Sequence, residues 1–342
     1  MDSADWLDTA TPSIQILEGD CLVSMASLPG KSVQTCVTSP PYFGLRDYGH
    51  AGQIGLEATP SAYVAKLVDV FREVRRVLRD DGTLWLNLGD SYGTGASGQN
   101  FDPKSGATNK GGQGAAGAFG HKRQSPVRGF HKNLLGIPWR VAFALQADGW
   151  YLRQDIIWHK PNPMPESVTD RCTKAHEYLF LLSKNPKYYF DYAAIREPAV
   201  TGGTDIVGYG SARSEKRKSK AEGVNGRNVQ SRNSEAERRD VVGGSFNNNP
   251  RLRQTDGMRN RRSVWSITTK PYKGAHFATF PPDLVEPCVA AGSRPGDTVL
   301  DPFGGSGTTA QVALQQGRSA ILCELNTQYV ELAKERIAKV KR

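Results

Sequence analysis

The segment Ser39-Pro40-Pro41-Tyr42 follows an apolar, β-branched run at residues 33–38 and brings together a hydroxyl, a rigid carbonyl and an aromatic ring. These groups suit the methylation of an amino nitrogen whose lone pair is delocalised into an aromatic base. The Ser39 hydroxyl and the Pro40 carbonyl can accept hydrogen bonds from its N–H groups, which favours a pyramidal nitrogen with its lone pair directed at a methyl sulfonium. Tyr42 can stack on the ring. By itself, the segment is also compatible with an ordinary proline-rich loop.

A second motif, DPFGGSGTT at residues 301–309, lies between a predicted strand and a predicted helix. Its glycines allow the backbone to approach a ligand closely, and the start of the helix offers unpaired N–H donors. Glu324 ends the next predicted strand, where an acid in nucleotide-binding folds accepts hydrogen bonds from ribose hydroxyls. The motif lacks the Lys of a phosphate-binding loop. A glycine-rich turn alone can be structural, but the turn, the strand and Glu324 together indicate an adenosyl ligand.

Alternating strands and helices position these motifs. In the N-terminal half, strands are predicted at residues 14–20, 33–38 and 83–88. A helix is predicted at residues 60–79 because apolar residues recur every three or four positions, with Thr59 as its cap and Pro60 at its first position. Asp81-Gly82 predicts a turn before the third strand. This alternation predicts an α/β fold with a parallel sheet and helices on its faces.

The second half of the chain continues the alternation. Helices are predicted at residues 134–147, 282–291, 308–316 and 327–340. Strands are predicted at residues 151–158, 177–182, 298–300 and 320–324. The elements from residue 298 onward form a complete strand–helix–strand unit around the glycine-rich motif.

Charge is concentrated in one internal segment. The chain of 342 residues has a formal net charge of +10, and residues 211–262 carry 14 Lys and Arg against 6 Asp and Glu. Because patterned sequence flanks this segment on both sides, it favours a polyanion-facing insertion over a solvated tail. Residues 92–128, rich in Gly, Ser, Asn and Gln, predict a long mobile loop.

Five scattered cysteines without a CxxC pair disfavour a disulfide framework and a zinc site, and the histidines form no metal pattern. The start of the chain carries Asp2, Asp5 and Asp8 and no basic residue up to residue 14, unlike a secretory signal. No apolar run approaches the length of a membrane span. We therefore expect a cytoplasmic protein that needs neither a membrane nor a metal.

In the order of its motifs the chain resembles the DNA amino-methyltransferases of the beta motif order, the N4-cytosine and N6-adenine methylases, in which the catalytic segment precedes the cofactor loop. The resemblance covers nearly the whole chain. It is carried by LEGDC at residues 17–21, SPPY at 39–42, Gly149-Trp150, His176-Glu177, HFATFP at 276–281, DPFGGSGTT at 301–309 and Glu324.

The resemblance implies S-adenosyl-L-methionine as cofactor. It also implies a Rossmann-like methyltransferase fold with a seven-stranded, mostly parallel sheet in circularly permuted order. Asp20 would meet the adenine amino group, Phe280 and Phe303 would line the pocket, and Glu324 would bind the ribose. The cofactor-binding residues expected on this basis are Asp20, Cys21, Phe280, Asp301, Pro302, Phe303, Gly305, Ser306, Thr308 and Glu324.

The same resemblance divides the chain. Residues 1–200 would form the catalytic part of the methyltransferase domain, residues 201–264 a basic target-recognition insertion, and residues 265–342 the cofactor-binding part of the same domain. The insertion would contact double-stranded DNA. Candidate contacts are Arg213, Lys216, Arg217, Lys218, Arg227, Arg238, Arg239, Arg251, Arg253, Arg259, Arg261 and Arg262.

The implied activity is that of a site-specific modification methylase that attacks directly with the amino group of a flipped base. In this family, Ser before the Pro-Pro pair is commonest among enzymes that make N4-methylcytosine, whereas Asp or Asn is commoner among those that make N6-methyladenine. Ser39 therefore favours cytosine, with adenine as the alternative. Both a monomer and a homodimer remain open.

Other classes explain less of the sequence. A cytosine-C5 methyltransferase needs a Cys nucleophile, and Pro287-Cys288 lies within a predicted helix, where a buried cysteine is the better interpretation. RNA or protein-glutamine methyltransferases carry Asn before Pro-Pro and place it after the cofactor loop. A dinucleotide oxidoreductase leaves both Ser39 and the basic insertion unexplained. A non-catalytic DNA-binding protein would have lost one motif, and cofactor binding distinguishes it.

Overall fold

The computed structural model describes residues 11–45, 50, 52–93, 131–199, 257–269 and 280–340. The chain forms two units. One comprises Met1–Ile195 together with Arg262–Arg342, and the other comprises Arg196–Arg261. Most of the loop predicted at residues 92–128, from residue 94 onward, and most of the basic insertion, residues 201–256, lie outside the described residues.

An eight-stranded sheet forms the centre of the first unit. Its strands are β1 (Ile14–Glu18), β2 (Val33–Thr38), β3 (Leu78–Leu88), β4 (Tyr151–His159), β5 (His176–Ser183), β8 (Val264–Ser266), β9 (Thr298–Asp301) and β10 (Ser319–Glu324). They lie in the order β1-β10-β9-β2-β3-β5-β4-β8. The first five are parallel to one another, whereas β5 is antiparallel to both of its neighbours. The predicted mostly parallel sheet is confirmed, with the three-residue β8 as an additional strand.

Six α-helices accompany the strands in the part of the chain that the structure describes. They are α1 (Cys21–Ala26), α2 (Pro60–Val77), α3 (Ile137–Ala147), α4 (Pro282–Gly292), α5 (Thr308–Gln315) and α6 (Thr327–Ala338). In α2 the predicted start is confirmed, because the Thr59 hydroxyl accepts a hydrogen bond of 3.1 Å from the amide of Ala62. The apolar face of α2 packs Tyr63, Leu67 and Phe71 into the core.

The prediction for the end of α2 was wrong. The helix ends at Val77 and β3 starts at once at Leu78, whereas the sequence predicts a helix to residue 79 and a strand from residue 83. Val33 pairs with Leu78, but Thr35 pairs with Thr83, so residues 79–82 lie opposite Gln34 as a bulge. Asp81-Gly82 therefore interrupts the ladder without ending the strand.

The strand order creates a switch point between β2 and β9. From β2 the next strand along the chain, β3, lies on one side, and from β9 the next strand, β10, lies on the other. In open α/β sheets the crevice at such a point, beyond the carboxyl ends of the strands, is where ligands bind. Both sequence motifs begin at this crevice, because one follows β2 and the other begins at the end of β9.

Two excursions from the fold have ends that pair with each other. Tyr92 forms an antiparallel bridge with Leu134, and the amide of Gly93 donates to the carbonyl of Asn133 at 2.8 Å. In the second unit, β6 (Glu197–Pro198) pairs antiparallel with β7 (Met258–Arg259), and Arg259 Nε lies 2.9 Å from Glu197 Oε1. In both cases the described residues on the two sides of the gap are hydrogen-bonded neighbours.

Within the described ranges, none of the helices combines the length and the apolar composition needed to cross a bilayer. The same part of the chain contains no cluster of three or more His, Cys, Asp or Glu residues with metal-binding geometry.

Gly292, the last residue of α4, sits directly on the central strands. A Cβ at this position would lie 2.7 Å from Thr35 Oγ1 and 2.9 Å from Trp85 Nε1. We expect Gly292→Ala to lower the free energy of unfolding by about 1–3 kcal/mol, because a buried sheet cannot move aside without strain. Urea unfolding measures this difference.

Gly30→Ala is the matched control. A Cβ at Gly30 would meet only the carbonyl oxygen of Arg76 at 3.6 Å, an ordinary contact. This variant should be at least as stable as the parent, because Ala restricts the unfolded chain. Equal effects of the two substitutions would contradict the close packing of α4 on the sheet.

Candidate active site

Adjacent parallel strands present the predicted site residues at one edge of the sheet. Asp20 follows β1, Glu324 ends β10, Asp301 ends β9 and Ser39 follows β2. Thr38 and Asp301 are 263 positions apart in sequence, yet Thr38 Oγ1 donates to Asp301 Oδ1 at 2.6 Å. The fold thus brings the two motifs together at the switch point.

The carboxylate of Asp301 is buried and bonded to the protein on both oxygens. Oδ1 accepts from Thr38 and from the amide of Phe303 at 3.1 Å, and Oδ2 accepts from Thr309 Oγ1 at 2.7 Å. Burial raises the pKa of this carboxyl to about 6, and the hydrogen bonds from Thr38, Thr309 and Phe303 limit the rise. Asp301 therefore joins β2, the glycine-rich loop and α5, and its carboxylate points into the protein.

The glycine-rich loop is closed onto the neighbouring strand β10. The amide of Gly304 donates to the carbonyl of Cys323 at 2.9 Å, and the amide of Gly305 donates to Glu324 Oε2 at 2.7 Å. A Cβ on Gly305 would meet only the Phe303 carbonyl, at 3.9 Å. Gly305 therefore leaves open space over the loop, as close approach of a ligand to the backbone requires.

Two of the predicted cofactor residues direct their side chains away from the loop. Arg336 on α6 is buried, and its Nη1 donates to the hydroxyls of Ser306, at 3.0 Å, and of Thr308. Both hydroxyls thus accept a hydrogen bond from α6, and each keeps its own proton to donate elsewhere.

Glu324 and Asp20 lie beside each other at the ends of β10 and β1. Burial raises the pKa of Glu324, although its carboxylate accepts from the amides of Gly305 and Asn326. Asp20 Oδ1 caps α1 by accepting from the amides of Leu22 and Val23 at 2.8 and 3.2 Å. Carboxylate oxygens have lone pairs to spare, so both acids can also accept from hydroxyl or amino groups of a ligand.

The remaining predicted cofactor residues form walls. Cys21 is buried, and burial, followed by the charge of Asp20, raises the pKa of its thiol to about 12, so the thiol is neutral. Phe303 is half-buried against one part of the core and Phe280 against another. Pro302 is buried. An open backbone loop, two acids and partly exposed aromatic rings fit an adenosyl ligand.

A polar network surrounds Ser39 at the same edge. Ser39 Oγ donates to Asn87 Oδ1 at 3.2 Å, and Tyr42 Oη lies 3.0 Å from that oxygen and 2.6 Å from Glu177 Oε2. Lys160 Nζ pairs with the other carboxylate oxygen of Glu177. The network crosses the sheet from β2 through β3 and β5 to the end of β4.

The ring of Tyr42 is confined. A Cβ at Gly89 would lie 2.4 Å from its Cε2 atom, so this ring occupies the space that any side chain at residue 89 would need. Burial, followed by the negative charge of Glu177, raises the pKa of Tyr42 well above its ordinary value. Stacking of Tyr42 on a base stays a prediction, and the structure adds a second role for its hydroxyl as a donor to Glu177.

Among the backbone carbonyls of Pro40, Pro41 and Tyr42, that of Pro40 differs from the other two. The Pro41 carbonyl accepts from Tyr63 Oη at 2.8 Å and the Tyr42 carbonyl accepts from the amide of Leu45 at 3.3 Å. No hydrogen bond to the carbonyl of Pro40 is found within the described residues. Pro40 is a buried residue, and a buried carbonyl normally has a partner. Its position beside Ser39 makes it the acceptor that a substrate can use.

Three members of this network were not predicted as site residues: Asn87, Lys160 and Glu177. Asn87 lies within the predicted third strand, near its carboxyl end, and Lys160 follows the strand predicted at 151–158. Polar residues at such ends are candidates in any α/β sheet. The contact of Glu177 with Tyr42, and that of Lys160 with Glu177, depend on β5 pairing between β3 and β4, which local patterns do not reveal.

Of the candidate DNA contacts, three lie within the described residues. Arg259 pairs with Glu197, Arg261 is half-buried, and Arg262 is exposed while its carbonyl accepts from Trp265 Nε1 at 2.7 Å. The other nine lie outside the described residues. Cys288 is buried in α4, and its Sγ contacts the carbonyl of Leu284 at 3.2 Å, so the interpretation as a core cysteine is confirmed.

Solved structures with the same architecture are methyltransferases. The PvuII DNA methyltransferase, described as cytosine-N4-specific, superposes with a TM-score of 0.57 at 18% identity, covering 95% of this chain and 88% of that chain. TTHA0409 from Thermus thermophilus, solved with S-adenosyl-L-methionine, gives a TM-score of 0.54 at 23% identity over 95% and 93% of the two chains. The fold is therefore that of S-adenosylmethionine-dependent methyltransferases.

Sequence relatives define the family. The model of the N6/N4 DNA methylases matches residues 33–335. The type II methyltransferase M.XycI of Xanthomonas campestris pv. cyanopsidis is 44% identical over 94% of this chain and 87% of its own. M.SmaI of Serratia marcescens, also a type II methyltransferase, is 44% identical over 97% and 94%. The chain belongs to the N6/N4 DNA methylase family, and S-adenosylmethionine is its cofactor.

The buried carboxyl of Asp301 predicts a pH effect on stability. Its pKa is raised from 3.8 to about 6 in the folded protein, so the folded state binds this proton more tightly than the unfolded state does. The resulting contribution is complete below the unfolded pKa and is lost as the pH rises through about 6. Relative to Asp301→Asn, the protein should lose about 3 kcal/mol of unfolding free energy between about pH 4 and pH 7.

Urea unfolding of both proteins across this pH range measures the difference. Glu57→Gln is the control, because the Glu57 carboxylate also accepts a backbone hydrogen bond, from the amide of Gly55 at 2.9 Å. A difference between Asp301→Asn and the parent that stays constant with pH would contradict the assignment.

Proposed function

We propose that the protein is a site-specific modification methylase that transfers a methyl group to the N4 amino group of cytosine in double-stranded DNA. The observation that carries the proposal is the pairing of two acceptors at the switch point. Ser39 Oγ donates its proton to Asn87 Oδ1, which leaves its lone pairs directed elsewhere, and the Pro40 carbonyl lies next to it. Together they can accept from both N–H groups of an exocyclic amine.

This arrangement activates the amine by orientation. Hydrogen bonds to both N–H groups favour a pyramidal nitrogen and release its lone pair from conjugation with the ring. Bound S-adenosylmethionine supplies an electrophilic methyl group on a sulfonium. Pro40 and Pro41 fix the carbonyl rigidly, and Tyr63 holds the following carbonyl through its hydroxyl. The amino nitrogen then attacks directly, without a covalent link to the protein.

The choice of cytosine rests on Ser39. Within the amino-methyltransferases that the chain resembles, Ser before Pro-Pro is commonest in N4-cytosine enzymes. Here Ser39 is hydrogen-bonded to a neutral amide, Asn87, and no Asp or Asn occupies its position. N6-methylation of adenine is the alternative, because the amine of adenine poses the same chemical problem.

Either base is stacked inside a duplex, so it has to be flipped into the crevice at a cost of a few kcal/mol. Contacts to the DNA must offset this cost. The segment at residues 211–262, with 14 Lys and Arg, is the region whose charge suits the phosphates.

Incubation of the purified protein with methyl-labelled S-adenosylmethionine and mixed-sequence duplex DNA, followed by nucleoside mass spectrometry, tests the proposal. We expect N4-methylcytosine. N6-methyladenine would overturn the inference from Ser39 and keep the enzyme class. Cofactor binding without label in DNA would contradict the proposed substrate.

Ser39→Ala should lower the rate of methyl transfer by about 10²-fold, because one of the two acceptors is removed, while cofactor binding stays within twofold. Single-turnover kinetics and calorimetric titration measure the two effects. Ser91→Ala is the matched control, since Ser91 Oγ lies at the same edge but donates to the carbonyl of Phe43 at 3.0 Å. An unchanged rate for Ser39→Ala would refute the amino-group mechanism.

Replacing Arg238 and Arg239 by Gln should weaken DNA binding and reduce the slope of log K against log salt by roughly 0.9 for each phosphate that is no longer neutralised. Fluorescence anisotropy at several salt concentrations measures the slope. The control replaces Arg72 and Lys334, two exposed and ion-paired cations on helices, which changes the net charge equally. A slope unchanged in Arg238/Arg239 variants would remove these two residues from the DNA interface.

A further inference from the structure

Methylation of an amino nitrogen releases a proton, and the site needs a group that accepts it. As the nitrogen–carbon bond forms, positive charge builds up on the nitrogen, which must lose one of its hydrogens. Ser39 Oγ is the side-chain oxygen placed to accept from that nitrogen, but a serine hydroxyl cannot keep a proton. Its neighbour Asn87 offers an amide oxygen, which is not basic enough to take the proton either.

A continuous path leads from Ser39 to a carboxylate. Ser39 Oγ lies 3.5 Å from Tyr42 Oη, and Tyr42 Oη lies 2.6 Å from Glu177 Oε2. The other oxygen of Glu177 is paired with Lys160 Nζ. Both hydroxyls can donate and accept, so each can pass a proton on as it receives one.

The hydrogen bonds indicate the direction of the path. Tyr42 has one proton and two acceptors within reach, Asn87 Oδ1 at 3.0 Å and Glu177 Oε2 at 2.6 Å. The charged and closer acceptor is the stronger one, so Tyr42 donates to Glu177. Asn87 Oδ1 then accepts from Ser39. The Ser39 hydroxyl needs only a rotation to donate to Tyr42 instead.

We propose that Glu177 receives the proton released from the methylated amino nitrogen, through Ser39 and Tyr42. As the nitrogen–carbon bond forms, the N–H bond breaks and its proton bonds to Ser39 Oγ. The original Ser39 proton passes to Tyr42 Oη, and the original Tyr42 proton passes to Glu177 Oε2. The nitrogen becomes neutral, Ser39 and Tyr42 end as they began, and Glu177 ends as a carboxylic acid. This inference rests on amino-group methylation and holds for cytosine and adenine alike.

A carboxylate is a sufficient proton acceptor for this step. A protonated amine that is conjugated with an aromatic ring is a strong acid, so its proton moves to a carboxylate readily. The Lys160 and Glu177 side chains retain 19% and 15% of their exposure. The acquired proton can therefore leave to water before the next turnover, which restores the ion pair.

Glu177→Gln tests the proposal because it keeps the shape of the side chain and removes its basicity. We expect the single-turnover rate of methyl transfer to DNA to fall by about 10²-fold, the range typical of proton-transfer groups, with cofactor affinity unchanged. Tyr42→Phe should give a loss of similar size. The double variant should be no slower than the slower single variant, because both changes cut one path.

Glu177→Ala supplies a readout that a purely structural role would not give. Added formate should raise the rate of methyl transfer by this variant at least tenfold. It should not raise the rate of Tyr42→Phe, in which Glu177 is intact. Glu166→Gln is the matched control. Glu166 also accepts from a cation, Arg171 at 2.7 Å, and lies in the connection between β4 and β5, but it has no link to Tyr42.

The outcomes separate this inference from the proposed function. If the parent protein puts no label into DNA, the proposed function fails. If the parent transfers methyl groups and Glu177→Gln keeps its rate, the relay alone is overturned. Losses that multiply in the double variant, or an equal loss in Glu166→Gln, would also overturn it. Should Glu177→Gln fold poorly, Tyr42→Phe and the absence of formate rescue in it decide the question.

Discussion

The buried carboxylate of Asp301 is the interaction on which the site depends. It accepts hydrogen bonds from Thr38 at the end of β2, from Thr309 in α5 and from the backbone of the glycine-rich loop. Hydrogen bonds to a charged group contribute about 1.5–3 kcal/mol each, and a buried carboxylate without them would be strongly unfavourable. The residue therefore holds together the strand that leads to Ser39 and the glycine-rich loop that we propose binds the cofactor.

This connection explains how distant parts of the chain form one reaction centre. The permuted order places the catalytic segment near the start of the chain and the cofactor loop near its end, and parallel pairing of β2 with β9 makes them neighbours. In the proposed site, the cofactor side is built from β1, β10 and β9, with Asp20 and Glu324 at their ends. The proposed substrate side is built from β2, β3, β5 and β4, whose ends carry Ser39, Asn87, Glu177 and Lys160. We propose that the reaction takes place where these two sets of strands meet.

Much of this architecture follows from local sequence patterns. Residues 33–38 form a strand as predicted because they are apolar and β-branched, and Thr59-Pro60 starts α2 because a hydroxyl cap and a proline at the first position both suit a helix start. The start of β3 could not be predicted, because Asp81-Gly82 has the composition of a turn but forms a bulge within the ladder. The short helix α1 was missed because its six residues give too few turns for a periodic pattern.

The candidate site, like the fold, could be predicted from the sequence only in part. Ser39, Asp301 and Glu324 lie where motif order and spacing predict, at the ends of adjacent strands. The sequence does not reveal that the Asp301 carboxylate faces inward, because this depends on its contacts with β2 and α5. Nor does it reveal that Arg336 donates to the hydroxyls of Ser306 and Thr308, because this depends on packing between α6 and the loop. The link from Tyr42 to Glu177 was equally hidden, since it joins residues 135 positions apart across three strands.

The decisive measurement is a crystal structure of the protein with S-adenosylhomocysteine and an unmethylated duplex that contains the sequence the protein methylates. We expect a base flipped into the crevice between β2 and β9, with its exocyclic amino nitrogen within hydrogen-bond distance of both Ser39 Oγ and the Pro40 carbonyl. An amino nitrogen that lies elsewhere, with these two oxygens bonded to other groups, would contradict it.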